Sequence, residues 1–319
     1  MVLIRRMTYI ISLLLAISSI AMINSHKAFA AEPGAMNYIA GSAGIFFGEM
    51  PPIPGLFMLT HTSFTTADSL YDHNGDKIHD ADFDMDAWAE TIRIIAAYDK
   101  TFLGARLYSQ AIVPFVSLEN SLSIDTPAGS FSIYDNDDSG MGSAVFSPII
   151  MYWHEQDSYD HYILGLDIAT GWGSYDKMSH VNASSGYRSV ILGLAYRYDN
   201  PTGLDIGFRA NFLFNEENSH TDYDTGDTVM LDLLACWNFG KWELGVVGGY
   251  TQQFTNDIDD GVDVGNRVTH LGLGPTLSYS TGPFNIELNY QKGLLAKNTS
   301  KNDSIWLNLT MPLYVPGMK

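Results

Sequence analysis

Long runs of strict alternation between apolar and polar residues constrain this chain more than any other feature. In "GLDIGFRANFLFN" one face reads Leu204, Ile206, Phe208, Ala210, Phe212 and Phe214, while the other reads Asp205, Gly207, Arg209, Asn211, Leu213 and Asn215. A period of two is the repeat of a β-strand, and here nearly all the polarity lies on one side. "KWELGVVGGYTQQF" sets Trp242, Leu244, Val246, Gly248 and Tyr250 against Lys241, Glu243, Gly245, Val247 and Gly249. "PFNIELNYQ" and the terminal "SIWLNLTMPLY" repeat the pattern. Followed along the chain, the alternation predicts about twelve strands, near residues 56–66, 85–98, 102–116, 141–153, 160–171, 187–198, 203–215, 227–238, 241–254, 266–280, 283–294 and 303–315. Most exceed the roughly five or six residues usual in soluble sheets and reach the roughly 9–11 that a tilted strand needs to cross a bilayer.

The connections separate a membrane barrel from a soluble one. Asp99–Lys100, Glu155–Tyr159, Asp199–Thr202, Phe239–Gly240 and Thr281–Gly282 are short. Between them the connections are longer: Ala67–Asp84, Ser117–Gly140, Gly171–Gly186, Glu216–Gly226, Thr255–Gly265 and Leu295–Asn302. A soluble sandwich has no reason to collect its long loops at one end, whereas an outer-membrane barrel has tight periplasmic turns and long outer loops. Aromatic residues such as Tyr98, Tyr198, Trp237, Trp242 and Tyr279 lie near strand ends, where a ring can sit at headgroup level, although aromatics also favour strands for their own sake. The expected fold class is therefore all-β, a transmembrane antiparallel up-and-down β-barrel of about twelve strands. An even strand number puts the N- and C-termini in the periplasm.

The N-terminus carries Arg5 and Arg6, an apolar run, and Ala28 and Ala30 in the small-x-small pattern of a cleavage site. Residues 1–30 are thus expected to be a secretory signal peptide; an uncleaved membrane anchor is the alternative, and the run is short for one. Residues 31–55 form a Gly/Pro-rich segment and residues 56–319 the barrel. The single cysteine, Cys236, rules out a disulfide scaffold. With 36 acidic against 17 basic residues and a net charge of −19, the chain lacks the basic clusters of a nucleic-acid binder. No later run is long and apolar enough for a transmembrane helix.

The order and spacing of "NYIAGSAGIFFGEMPPIPGLF", "LGARLYSQAIVPF", "FSPIIMYWHE", "TGLDIGFRANFLFNEENSHTDYDTGDTVMLDL", "WELGVVGGYTQQFTNDIDDG" and "LGLGPTLSY" resemble the meta-pathway phenol-degradation family of outer-membrane barrels. The resemblance runs from about Asn37 to Pro312. It implies a channel or transporter in the bacterial outer membrane that passively takes up small, largely hydrophobic or aromatic compounds, without a cofactor. Its surroundings would be outer-membrane lipid and lipopolysaccharide, its folding partner the barrel-assembly machinery, and its state a monomer.

If the apolar faces meet lipid, the charges on the opposite faces point into the lumen. Arg93, Arg106, Asp167, Arg197, Asp205, Arg209, Asp232, Glu243 and Glu287 are the candidates for a polar permeation path. Mixed signs on neighbouring strands predict that each Arg lies near a carboxylate, which would equally well brace the barrel. Tyr108 and Tyr223 are candidate aromatics beside which a solute enters. The segment Glu32–Gly55 holds Pro33, Pro51, Pro52 and Pro54, so it joins no ladder; it either tucks into the periplasmic mouth as a short plug or leads into the barrel without order.

Two other readings compete. His61 and Ser63 share one face of the first strand, the spacing of a base and nucleophile in a lipid hydrolase that also uses an acidic or amide residue, but no partner carboxylate is identifiable in the sequence. Alternatively the protein is a structural or ion-binding surface barrel. In "LYDHNGDKIHDADFD" the alternating Asp72, Asn74 and Asp76 suit weak calcium binding, yet Lys77 and Phe83 stand where an EF-hand requires Gly and Glu. His154, His161 and His220 read as solvated turn and loop residues.

Overall fold

A computed structural model describes residues 36–317; the predicted signal peptide lies outside them. Alternation becomes sixteen strands: β1 (Gly55–Tyr71), β2 (Ala81–Phe102), β3 (Ala105–Thr126), β4 (Gly129–Met141), β5 (Val145–His154), β6 (Asp160–Ala169), β7 (Ser189–Asp199) and β8 (Leu204–Asn215) in the first half. The second half holds β9 (Tyr223–Asp224), β10 (Thr228–Phe239), β11 (Trp242–Gln253), β12 (Asp257–Asp259), β13 (Val262–Gly265), β14 (Thr269–Ser280), β15 (Asn285–Lys297) and β16 (Thr299–Tyr314). Twelve of these close a single antiparallel wall in the order β2, β1, β16, β15, β14, β11, β10, β8, β7, β6, β5, β3, with β3 returning to β2. No described helix is long and apolar enough to cross a membrane.

The register keeps the pleat in phase around the wall. Phe64, Trp88, Ile206, Phe208, Leu244 and Leu288 are exposed on the outside, whereas Arg93, Asp205, Asn211, Asp232 and Glu287 are buried inside. A closed barrel leaves no wall edge unpaired, so its backbone groups are satisfied without water, as a bilayer demands. The short turns gather at one end, where Gly55 of β1 also lies close to Tyr314 of β16.

Several expectations need correction. Ser117–Gly140 is not an irregular loop: the outer half of β3 leaves β5 and forms a hairpin with β4, from Phe115↔Met141 to Thr126↔Gly129. Leu295–Asn302 is not a long connection, because β15 and β16 run to Lys297 and from Thr299, leaving Asn298 at φ 50° to turn the chain. Strands β1 and β2 also extend into Ala67–Asp84, and the two loops around β9, β12 and β13 fold onto each other as a small sheet. The first described residues sit at the long-loop end instead of the short-turn end: Asn37 Nδ2 donates to Tyr187 O at 3.0 Å and to Ser189 Oγ at 2.7 Å.

Candidate functional site: the barrel lumen

Residues 36–54 descend through the lumen from that outer end to β1. They pair with no strand; successive tight turns, such as Gly44 N to Gly41 O at 3.2 Å and Phe46 N to Ala43 O at 2.8 Å, keep the segment compact. Met36, Tyr38 and Ala40 pack against Ile191, Leu213 and Met230, whereas Met50 packs against Leu59, Ile95 and Ile150 near the short turns. Between these, Ala43, Ile45 and Phe47 cover Leu234, Cys236 and Val247.

Polar bonds between this segment and inward-facing wall residues set its height. Asp232 on β10 accepts from Tyr38 Oη and from Gly41 N, both at 2.6 Å. Glu287 on β15 accepts from Ile45 N at 3.2 Å, Thr276 Oγ1 at 2.8 Å, Asn289 Nδ2 at 3.1 Å and Asn308 Nδ2 at 2.8 Å. Arg197 on β7 donates through Nη1 to Ile45 O at 2.7 Å, while Nε and Nη2 grip both oxygens of Asp205 at 2.9 and 2.5 Å. Lower still, Tyr108 Oη donates to Pro51 O at 2.8 Å and Arg106 to Pro52 O.

The predicted charge compensation holds for part of the set. Arg209 pairs with Asp167 at 3.2 Å and also donates to Asn211 Oδ1 at 3.0 Å; Arg197 pairs with Asp205. Arg93 and Arg106 form no direct ion pair among the described residues, although Asp167 and Asp232 are among the charged neighbours of Arg93. Glu243 stands with its Oε1 buried and without a hydrogen-bond partner. Tyr108 is buried near the short turns, edge-on to Tyr152 at 6.0 Å between ring centres, so it cannot flank an outer mouth. Tyr223 does lie among the outer loops, donating to Asp257 Oδ2 at 3.0 Å. Sequence reasoning missed Tyr38, Gly41 and Ile45, whose backbone and side-chain donors meet the wall.

His61 Nδ1 lies 3.0 Å from the amide oxygen Oδ1 of Asn308, and among the described residues neither a carboxylate nor Ser63 is hydrogen-bonded to His61. His161 is buried, with Nδ1 2.7 Å from Tyr152 Oη and its ring stacked on His154 at 4.2 Å, so the solvated reading does not hold for it. Asp72 uses its carboxylate inside its own turn, accepting from Asn74 N and Asp76 N at 2.9 Å each. These bonds hold it below the usual aspartate range. No group of three or more metal-ligating side chains converges among the described residues.

The model of the family described as "Putative MetA-pathway of phenol degradation" matches residues 67–309, most of the chain. The chain belongs to this family. Among solved structures, an outer membrane channel from Pseudomonas putida F1 superimposes with a TM-score of 0.70 at 16% identity, covering 83% of this chain and 97% of its own. The chain therefore shares that channel's fold. More distant likenesses are the transport unit of the autotransporter AIDA-I from Escherichia coli, with a TM-score of 0.49 at 8% identity over 86% of this chain and 100% of that one, and the CymD monoaromatic hydrocarbon channel, with 0.42 at 12% over 89% and 94%. No curated protein matches the sequence.

Proposed function

We propose that this protein is a passive channel of the bacterial outer membrane for uptake of small, largely hydrophobic or aromatic compounds. The observation that carries the proposal is a lumen with a polar wall, filled by a segment that is hydrogen-bonded to the wall but absent from its ladders. Such a segment can shift without opening the barrel. Residues 31–55 then act as a short plug, and solute collected at the outer loops passes the charged lumen or leaves sideways. A sideways exit is favoured at the seam between β3 and β5: pairing there shifts register around Pro148 and stops at Ile112↔Val145. The exposed apolar belt supports residence in lipid, the family's description supports an aromatic solute, and the Pseudomonas channel supplies a precedent for the fold. The barrel acts as a monomer among lipopolysaccharide, and no enzymatic role is assigned to His61 and Ser63.

Uptake of a labelled aromatic such as toluene by cells lacking and expressing the protein tests this. Faster uptake with the protein is expected; equal rates would favour a structural or ion-binding surface barrel. Lipid hydrolysis that disappears in Ser63→Ala would instead establish an enzyme.

A further inference from the structure

Between the plug segment and the wall lies a cleft lined by Phe46, Met50, Arg93, Ile150, Gly165 and Arg209, whose inner cavity of about 30 Å³ holds roughly two waters. It exists because two inward positions facing each other across β6 and β7, Gly165 and Gly193, carry no side chain. A Cβ on Gly165 would meet only ordinary contacts, Ile150 Cγ1 at 3.6 Å and Asp167 Oδ1 at 3.9 Å.

Arg93 sets the chemistry of this space. It is 7% exposed, and its Nε donates to Gln110 Oε1 at 2.7 Å. Its other N–H groups have no hydrogen-bond partner among the described residues, and no carboxylate lies at ion-pair distance. The neighbouring charges are otherwise engaged: Asp167 by Arg209 and Ser147, Asp232 by Tyr38 and Gly41. Glu49 lines the cleft from the plug side without an ion pair among the described residues; its charged neighbours are Arg197, Asp199, Asp205 and His154, and an anion bound at Arg93 shares the cleft with it. A buried guanidinium without a carboxylate is costly, and its planar fork matches a carboxylate through two parallel hydrogen bonds.

We propose that the cleft binds small monocarboxylates with an apolar body, the carboxylate on Arg93 and a single ring or short chain against Phe46, Met50 and Ile150. The inner space suits the carboxylate as it stands. The body takes its room from Phe46 and Met50, which belong to the unpaired segment and yield more readily than a strand. The proposal rests on the channel reading, whose solute it narrows to an acid.

Fluorine NMR titrations of the folded protein in detergent at neutral pH, using 4-fluorobenzoate, 4-fluorobenzyl alcohol and 4-fluorobenzylamine, provide the test. The acid is expected to bind saturably and about tenfold or more tighter than the alcohol or the amine, because a charge-assisted bidentate pair is at stake. Arg93→Gln should erase that preference. Gly165→Leu, which alters no charge, should weaken the acid by a similar factor by filling the cleft. Equal binding of the three probes, or an undiminished acid preference in either folded variant, overturns the proposal. If Arg93→Gln does not fold, Gly165→Leu and the probe series decide. Toluene uptake by the wild-type protein separates the two levels. Uptake without acid preference removes the site and leaves the channel; acid preference without uptake removes the channel and leaves the site.

Discussion

At Gly249 the backbones of wall and plug come close together. A Cβ there would fall among the Ala40 carbonyl and Gly41 N, and Gly41 itself turns with φ +87° beside Gly248 and Gly249. Glycine is required at Gly41 by its left-handed backbone and at Gly249 by space alone. Gly249→Val should therefore push residues 40–41 off the wall while the pairs of β11 with β10 and β14 persist. Higher single-channel conductance from a barrel that still shows heat-modifiable gel mobility is the expected outcome. Arg197 presents the opposite case, a buried cation whose main partner is Asp205, with Asp199 farther off at 3.9 Å. Asp205→Asn strands that guanidinium and should cost about 3 kcal/mol or more of stability, read from the urea midpoint of folding into detergent or bilayers. Parity in the sequence identified both Arg197 and Asp205 as inward. Their bonds to the plug were beyond it, because Ile45 and Arg197 are 152 positions apart and meet through a backbone carbonyl that any residue would supply.

Among the elements, strands with a lipid-facing stripe were legible and strands without one were not. The twelve wall strands follow from alternation because lipid outside and polar lumen inside enforce it residue by residue. The β3–β4 hairpin carries alternation too, in Leu122 and Ile124 and in Phe131 and Ile133, turning at Thr126–Gly129 where Thr126 Oγ1 donates to Gly129 O at 2.9 Å. Acidic residues flank those short repeats and neither face has to meet lipid, so no stripe reaches a span's length. The sheet of β9, β12 and β13 is shorter still and depends on contacts between two loops. Crowded carboxylates tune it: burial, reinforced by the charges of Asp227, Asp257 and Glu217, pushes Asp224 up to about 6. A carboxyl raised on folding contributes stability that is complete below the ordinary aspartate range and is lost as pH rises through about 6. Acidification from pH 7.5 to 5 should thus tighten the loop sheet, by on the order of 1 kcal/mol because the group is partly solvated. Amide exchange across Tyr223–Asp224 and Asp257–Gly265, corrected for intrinsic rates, should slow accordingly, and Asp224→Asn should flatten the difference.

For the whole molecule, wall and plug are separable because they use different bonds. Closure of the barrel runs through β1 with β16, β1 with β2 and β2 with β3, and none of those pairings involves residues 37–52. The plug is held by side chains and loop backbone, at Ser189, Asp232, Glu287, Arg197 and Tyr108 in turn. Removing residues 37–52 should leave Gly55 paired with Ala97 and the twelve strands closed. The exposed carboxylates and guanidiniums would then face a water-filled lumen, where hydration replaces the lost partners at far lower cost than in a dry interior. A twelve-strand barrel lies between eight-strand barrels, which their own side chains fill, and sixteen-strand porins, which hold an aqueous channel. Its interior is therefore wide enough that one chain segment decides whether ions pass. Single-channel conductance in planar bilayers should rise several-fold over the intact protein. An unchanged conductance from a heat-modifiable, folded deletion would place the barrier in the wall or the outer loops and remove residues 37–52 from the control of ion passage through this barrel.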